Sequence, residues 1–133
     1  AAVADYRPAT SGVRKVKKGP EEWAVSLVKN PDILAAVSGD LIKVGFAAET
    51  EDLLENARAK LHAKGLHLIA VNDVTVPGSG FGADTNKVTL LDRDDRAEEL
   101  PLLPKYEVAW RILDRVVEFL KREGKQVLAT PSR

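Results

Sequence analysis

The chain has 133 residues, of which 44% are apolar, enough for one domain with a buried core. Its 20 basic and 20 acidic residues cancel, which leaves no bulk charge to draw nucleic acid or an anionic membrane, so any basic site must be local. No apolar run approaches a membrane span, no signal-peptide pattern opens the chain, and the absence of cysteine excludes disulfides, thiolate ligands and a cysteine nucleophile. Such a composition is compatible with a cytoplasmic protein. The two histidines, His62 and His67, make a poor metal set with no third ligand nearby.

The chain has no methionine and opens on AAVADY, which reads as the end of a strand; the expectation is therefore that these residues belong to a longer protein. Ala1 to Ala4 are read as that strand end and Asp5 to Pro8 as the loop leaving it, because Pro8 disfavours helix at Arg7. Asp5 then sits at a carboxyl edge. Arg14 to Lys18, closed by Gly19 and Pro20, reads as a mobile basic loop. Glu22 to Lys29 alternates, with Trp23, Val25 and Leu27 on one side, and predicts a strand with one covered face. Asn30-Pro31-Asp32 reads as a helix start, with Asn30 as N-cap, Pro31 in the first helical position and Asp32 as the acid of the first turn. The helix is short and carries Ile33, Leu34 and Val37.

The organising stretch runs from Ile42 to Val71. An apolar run closing in Gly45 and Phe46 and a second closing in Asn72 and Asp73 both read as buried strands. Between them the sequence predicts a helix, with Thr50 as N-cap, Glu51 and Asp52 in its first turn and Gly65 as a left-handed C-cap. Leu53, Leu54, Ala57 and Leu61 give it one apolar face. Strand, helix and strand make a βαβ unit, which is expected to bring Phe46 and Asn72 to one edge. Ligands of open α/β sheets bind beyond such carboxyl ends.

Pro77 to Gly80 reads as a flexible connection without periodicity, followed by a strand at Val88 to Leu91, a turn at Asp92 to Asp95 and an antiparallel return at Glu98 to Leu102. From Lys105 the pattern is helical, with Val108, Ile112, Val116 and Phe119 as a stripe that Trp110, Leu113, Val117 and Leu120 widen, until Gly124 ends it. Residues 125–133 read as a flexible tail. Together the elements predict an α/β, Rossmann-like three-layer domain with a mainly parallel sheet, a C-terminal antiparallel extension and a final helix.

Each candidate for chemistry has a bland reading beside it. Lys15, Lys17 and Lys18 can close over a phosphate or can be solvated; Lys60 and Lys64, four apart on one helical row, can face an anion or complement the helix C-terminus. Asp5 can hold a ribose hydroxyl or cap a turn, Phe46 can stack on a base or fill a core, and Asn72 and Asp73 can bind ligand or end a strand. No Walker loop, GxGxxG or serine-histidine-acid set is present. Residue types and spacing alone give a nucleotide-type scaffold with scattered cations and name no reaction.

AAVADYRP, the KVKK of Lys15 to Lys18, LVKNPDIL, VGFAAET, the helix with Ala57, Arg58 and Lys60, AVNDV and GFGADTN occur in one order along nearly the whole chain. In that order they resemble the C-terminal synthetase domain of the bacterial bifunctional phosphopantothenoylcysteine decarboxylase/synthetase flavoproteins. The resemblance implies a phosphopantothenate–cysteine ligase of coenzyme A biosynthesis. In that family CTP activates the carboxylate of 4'-phosphopantothenate as an acyl-cytidylate with loss of pyrophosphate, and cysteine then displaces CMP to form the amide. Carried over residue by residue, it assigns nucleotide contacts to Asp5, Lys15, Pro31, Asp32, Ile33, Leu34, Phe46, Lys60 and Lys64. Lys15 also matches the first lysine of a flap thought to fold over the activated intermediate, and is the catalytic candidate. Ala1 and Ala2 match a segment near a dimer interface and the phosphopantothenate site, and Asn72 is placed with them at the substrate edge, in a motif whose individual roles the resemblance does not assign. Mg²⁺ accompanying CTP is implied, as is a cytoplasmic homodimer, with FMN confined to the decarboxylase half.

That family's glycine- and serine-rich first strand and loop, with an asparagine implicated in turning over the intermediate, have no counterpart upstream of Ala1, and the decarboxylase half is not in the sequence. These residues alone are therefore expected to be incomplete as an enzyme. The alternative reading is a non-catalytic nucleotide-binding or dimerisation module. Nucleic-acid binding through RKVKK is disfavoured by the zero net charge and the few aromatics.

Overall fold

The structure, a computed structural model, describes residues 4–10, 12, 24–80 and 82–125. Ala1, Ala2, the basic loop with Lys15, Lys17 and Lys18, Phe81 and the tail after Lys125 lie outside the described residues. The chain divides into two units, Ala1–Val37 and Ser38–Arg133.

In the first unit two short strands, β1 (Tyr6–Pro8) and β2 (Leu27–Lys29), pair antiparallel with Tyr6 opposite Lys29. Asp5 to Pro8 is thus not a loop, since Pro8 lies at the end of a three-residue strand, where a missing amide is tolerated. The strand expected from Glu22 is shorter, with Ala24 to Ser26 outside it. The helix α1 (Ile33–Ala36) begins later than expected. Asp32, not Asn30, is its N-cap and accepts a hydrogen bond from the Ala35 amide at 3.0 Å. Asn30 is engaged elsewhere: its side-chain amide donates to the Ala4 carbonyl at 2.6 Å and accepts from Arg7 at 3.0 Å. Val37 closes the helix as C-cap.

The second unit is built on a four-stranded sheet ordered β3 (Val44–Glu49), β4 (Leu68–Asp73), β5 (Thr85–Asp92) and β6 (Ala97–Pro104). β3 and β4 run parallel, joined by α2 (Leu53–Ala63), which is the βαβ unit read from the sequence. The other two pairings are antiparallel, so the sheet is mixed: the antiparallel extension contributes more pairings among the described residues than the parallel part. The final helix α3 (Lys105–Arg122) returns over β4, β5 and β6, and α2 packs on β3, β4 and β5. β4 is buried from Leu68 to Asn72 because both faces are covered. Leu68, Ala70, Val88, Leu90 and Leu100 meet Val108 and Phe119 of α3 in one core cluster. The alternate residues Ile69, Val71 and Leu91 point the other way and are equally buried.

Local sequence explains the ends of α2. Lys64, Gly65 and Leu66 form a Schellman close: the Gly65 amide bonds the His62 carbonyl, the Leu66 amide bonds the Leu61 carbonyl, and Gly65 takes the left-handed φ of +57°. At the other end Asp52 is the N-cap, at φ +46° and with no side-chain cap, so Thr50 does not start the helix. Gly45 has a packing role, since a Cβ there would come within 2.6 Å of the buried Leu66 side chain. Leu54, placed on the apolar face from the sequence, is exposed, while Ala57 and Leu61 are buried. Leu113 is exposed as well.

Arg115 is the one buried charge of α3, only 4% exposed. It pairs with Asp92, itself 1% exposed, and reaches Glu98 at 3.2 Å. Asp92 also accepts the amides of Asp94 and Arg96 at 3.0 and 2.9 Å, so one carboxylate both shapes the β5–β6 turn and fastens it to α3. Replacing Arg115 with Met should cost about 3–5 kcal/mol, because Asp92 would remain buried without its cation. Urea unfolding checks this, and a loss under 1 kcal/mol would contradict the assignment.

His67 closes the same end of the sheet, where the start of β4 lies beside the end of β5 and the Arg93 amide donates to the His67 carbonyl at 3.1 Å. Its Nδ1 accepts the Lys43 amide at 3.1 Å, its own amide donates to the Lys43 carbonyl at 2.8 Å, and its ring meets Phe119 edge-on. Burial, seconded by Arg93, lowers its pKa below 6.5, against the pull of nearby Glu123. The unfolded chain therefore takes up this proton first as pH falls. The stability owed to neutral His67 is complete above pH 6.5 and is lost as the pH falls towards the lower folded-state value. His67→Asn, which can keep the acceptor, should flatten the dependence of the thermal midpoint on pH between 7 and about 5; parallel profiles for the two proteins would refute this.

Candidate functional site at the carboxyl edge of the sheet

β3 and β4 end side by side in Glu49 and Asp73, paired in register, and the chain leaves β3 for α2 and β4 for the segment 74–84. This is the edge where an α/β sheet presents its loops. Four polar residues define it among the described residues: Glu49, Lys60, Asn72 and Asp73.

Lys60 projects from α2 and its ammonium pairs with the Glu49 carboxylate. The partners differ in exposure, 47% for the lysine side chain and 14% for the glutamate, so the cation faces water and the anion supports it from below. Lys64, one turn on, is the half-buried C-cap residue of the same helix. Glu49 is itself anchored, its carbonyl accepting the Val74 amide at 3.2 Å.

Asn72 is not displayed to a ligand. It is 6% exposed, its amide nitrogen donates to the Ser79 carbonyl at 2.8 Å, and its oxygen accepts the Ser79 hydroxyl at 2.7 Å. Ser79 is wholly buried, and its Oγ accepts the Lys87 amide at 2.7 Å. Thr85 in turn bonds the Gly78 carbonyl through its hydroxyl. The stretch read from sequence as a flexible connection is therefore pinned to β4 and β5. Asp73 begins it with an Asx turn: its carboxylate accepts the Thr75 hydroxyl at 2.6 Å and amide at 2.9 Å, and these two bonds hold its pKa below 3.8.

Phe46 stands apart from this arrangement. It lies in the middle of β3 opposite Ala70, while Asn72 is opposite Ala48, so the two do not share an edge as expected. The run continues to Glu49 because Ala47 and Ala48 extend the strand. Pairing with Ala70 puts Phe46 on the face that α3 covers, yet its ring is 58% exposed; Gly45, Ala47 and Glu49 point to the α2 face with Lys60.

Asp5, Pro31, Asp32, Ile33 and Leu34 belong to the first unit. There Asp5 is brought next to the helix start, its carbonyl accepting the Asn30 amide at 2.8 Å. All five are exposed except the half-buried Leu34. The Asp32 carboxylate already occupies the Ala35 amide, and a single turn of helix adds little dipole to attract an anion. Lys15, Ala1 and Ala2 lie outside the described residues.

Sequence reasoning did not find the Glu49–Lys60 pair, the Asn72–Ser79 clamp or the Asp92–Arg115 pair. Only the last left a clear signal: Arg115 follows Val108 by seven and precedes Phe119 by four, which places a charge on the buried stripe. Exchanging Asn72 for Ala should cost about 1–3 kcal/mol through the unsatisfied Ser79 groups. It should also speed amide hydrogen exchange across residues 74–84; protection equal to wild type would show that the clamp does not hold the loop.

Comparison with known proteins places these residues in a family. Residues 1–120 match the DNA/pantothenate metabolism flavoprotein C-terminal domain. The Coenzyme A biosynthesis bifunctional protein CoaBC of Bacillus subtilis is 43% identical over 129 residues, which is 95% of this chain and 32% of that protein. A cysteine/cysteine sulfinic acid decarboxylase from an unknown prokaryotic organism is 39% identical over 122 residues, 88% of this chain and 34% of that protein. The chain thus spans about a third of the length of these relatives. Among solved structures, the C-terminal domain of a Coenzyme A biosynthesis bifunctional protein CoaBC superposes with a TM-score of 0.70 at 34% identity, covering 92% of this chain and 53% of that one. The α/β fold with a mixed four-stranded sheet, the matched span and these relatives agree: the chain belongs to the DNA/pantothenate metabolism flavoprotein C-terminal domain family.

Proposed function

We propose that the chain is the nucleotide-activating part of a phosphopantothenate–cysteine ligase in coenzyme A biosynthesis. The observation that carries the reading is the 43% identity to the bacterial bifunctional protein of that pathway across 95% of the chain. In this reading CTP is attacked at its α-phosphorus by the carboxylate of 4'-phosphopantothenate; the bond to the β-phosphate breaks, pyrophosphate leaves and an acyl-cytidylate forms. The cysteine amine then attacks the acyl carbon, CMP departs and the amine proton is lost as the amide forms. Lys60 and Lys64 share one row of α2 and supply local positive charge, Lys60 at the carboxyl edge through Glu49, which suits a triphosphate whose negative charge grows on the leaving pyrophosphate. Lys15 is the flap lysine that shields the acyl-nucleotide from water. Asp5 and Pro31 to Leu34 contact the nucleotide, and Phe46 offers an exposed ring for stacking. The enzyme works as a cytoplasmic homodimer.

Magnesium enters with the triphosphate. Among the described residues no group of three or more His, Cys, Asp or Glu is gathered as a metal set.

One relative carries a decarboxylase name, and the alternative role is a module that binds nucleotide without turnover. Pyrophosphate release by the native protein that carries these residues separates these readings. The ligase releases pyrophosphate from CTP only when 4'-phosphopantothenate is present, and converts the intermediate to 4'-phosphopantothenoylcysteine when cysteine is added. Release that ignores 4'-phosphopantothenate, or none with either CTP or ATP, contradicts the proposal.

A further inference from the structure

Lys60 does not reach the carboxyl edge as a free cation. Its ammonium lies on the carboxylate of Glu49, the last residue of β3. That carboxylate is nearly buried at 14% exposure, on a strand end fixed by the register pairing with Asp73 and by the bond from the Val74 amide to the Glu49 carbonyl. A lysine side chain on a helix surface ordinarily samples many rotamers, and holding it in one geometry costs entropy. Here the holder is rigid. A nearly buried carboxylate left without its cation is costly, so Lys60 has reason to keep Glu49 when an anion arrives. An ammonium has three N–H donors and one salt bridge need not use them all.

We propose that Glu49 is the positioning residue for Lys60: it fixes the ammonium at the carboxyl edge with N–H groups left to donate to the phosphates of a nucleoside triphosphate. This rests on the functional reading above, since Lys60 is a nucleotide contact only within it. Glu49 itself touches no phosphate. Its effect depends on reach and on an acceptor oxygen rather than on charge, and that separates it from a bystander acid. Glu49→Asp keeps the charge and shortens the arm by one methylene, drawing the ammonium back. Glu49→Gln keeps the reach and one acceptor oxygen and removes the charge.

The test is calorimetric titration of the full chain with CTP and Mg²⁺, for wild type, Glu49→Asp, Glu49→Gln, Lys60→Ala and the double variant Glu49→Asp/Lys60→Ala, together with the ¹⁵N relaxation of the Lys60 ammonium. Positioning predicts that Glu49→Asp loosens the ammonium and weakens binding about fivefold, as expected when a charge contact worth about 1 kcal/mol is lost. It also predicts that Glu49→Gln binds at least as well as wild type, and that Glu49→Asp adds nothing once Lys60 is Ala. If Lys60→Ala weakens binding while Glu49→Asp leaves affinity and ammonium order unchanged, the positioning role is overturned and the nucleotide reading stands. If wild type binds neither more tightly than Lys60→Ala nor at all, the assignment of Lys60 to the nucleotide fails, and the role proposed for Glu49 fails with it.

Discussion

Everything in the second unit depends on β4 being buried on both faces. A strand sealed from water along Leu68 to Val71 must find all its backbone partners in neighbouring strands and all its side-chain contacts in two helices. β3 supplies one set of hydrogen bonds in parallel and β5 the other in antiparallel. That requirement forces α2 to cross one face and α3 to return over the other. At Gly45 a Cβ would have to displace the buried Leu66 side chain.

The polar residues at the two ends of β4 solve the problem this burial creates. At the start, His67 binds the Lys43 backbone through both its ring and its amide and packs on Phe119. At the finish, Asn72 spends both atoms of its amide on Ser79 and turns the following segment into a fixed part of the edge. Buried polar groups of this kind stabilise only when fully paired, and these are paired. The carboxyl edge is therefore preorganised around Glu49, Asn72 and Asp73, and Lys60 is held out from it. A binding surface built on strand ends and clamped turns needs little reordering when a ligand arrives.

Much of this was legible in the sequence because it followed from period and punctuation. The apolar runs of β3 and β4, the helix between them, the Gly65 and Gly124 stops and the turn at Asp92 were visible as spacing. Boundaries were less so: Thr50 and Asn30 were read as N-caps, but the caps are Asp52 and Asp32, two residues on and chemically able to do the same work. Position on a strand was misread for Phe46, since an apolar run does not show where pairing continues through Ala47 and Ala48. Long-range polar pairs left almost no trace, because Glu49 and Lys60 or Asn72 and Ser79 each have an ordinary local reason to be where they are. The family resemblance named candidate residues that physics alone left ambiguous, and the structure then distinguished the displayed Lys60 from the internal Asn72.

The central claim is that the carboxyl edge of β3 and β4 receives a nucleoside triphosphate. Amide chemical-shift mapping of the chain, titrated with CTP and Mg²⁺, tests it most directly. The account predicts the largest shifts at Glu49 to Asp52, Lys60 and Asp73 to Thr75, with little change at the far ends of the strands around Lys43, His67 and Arg93. Shifts confined to those far ends, or none at saturating nucleotide, would contradict it.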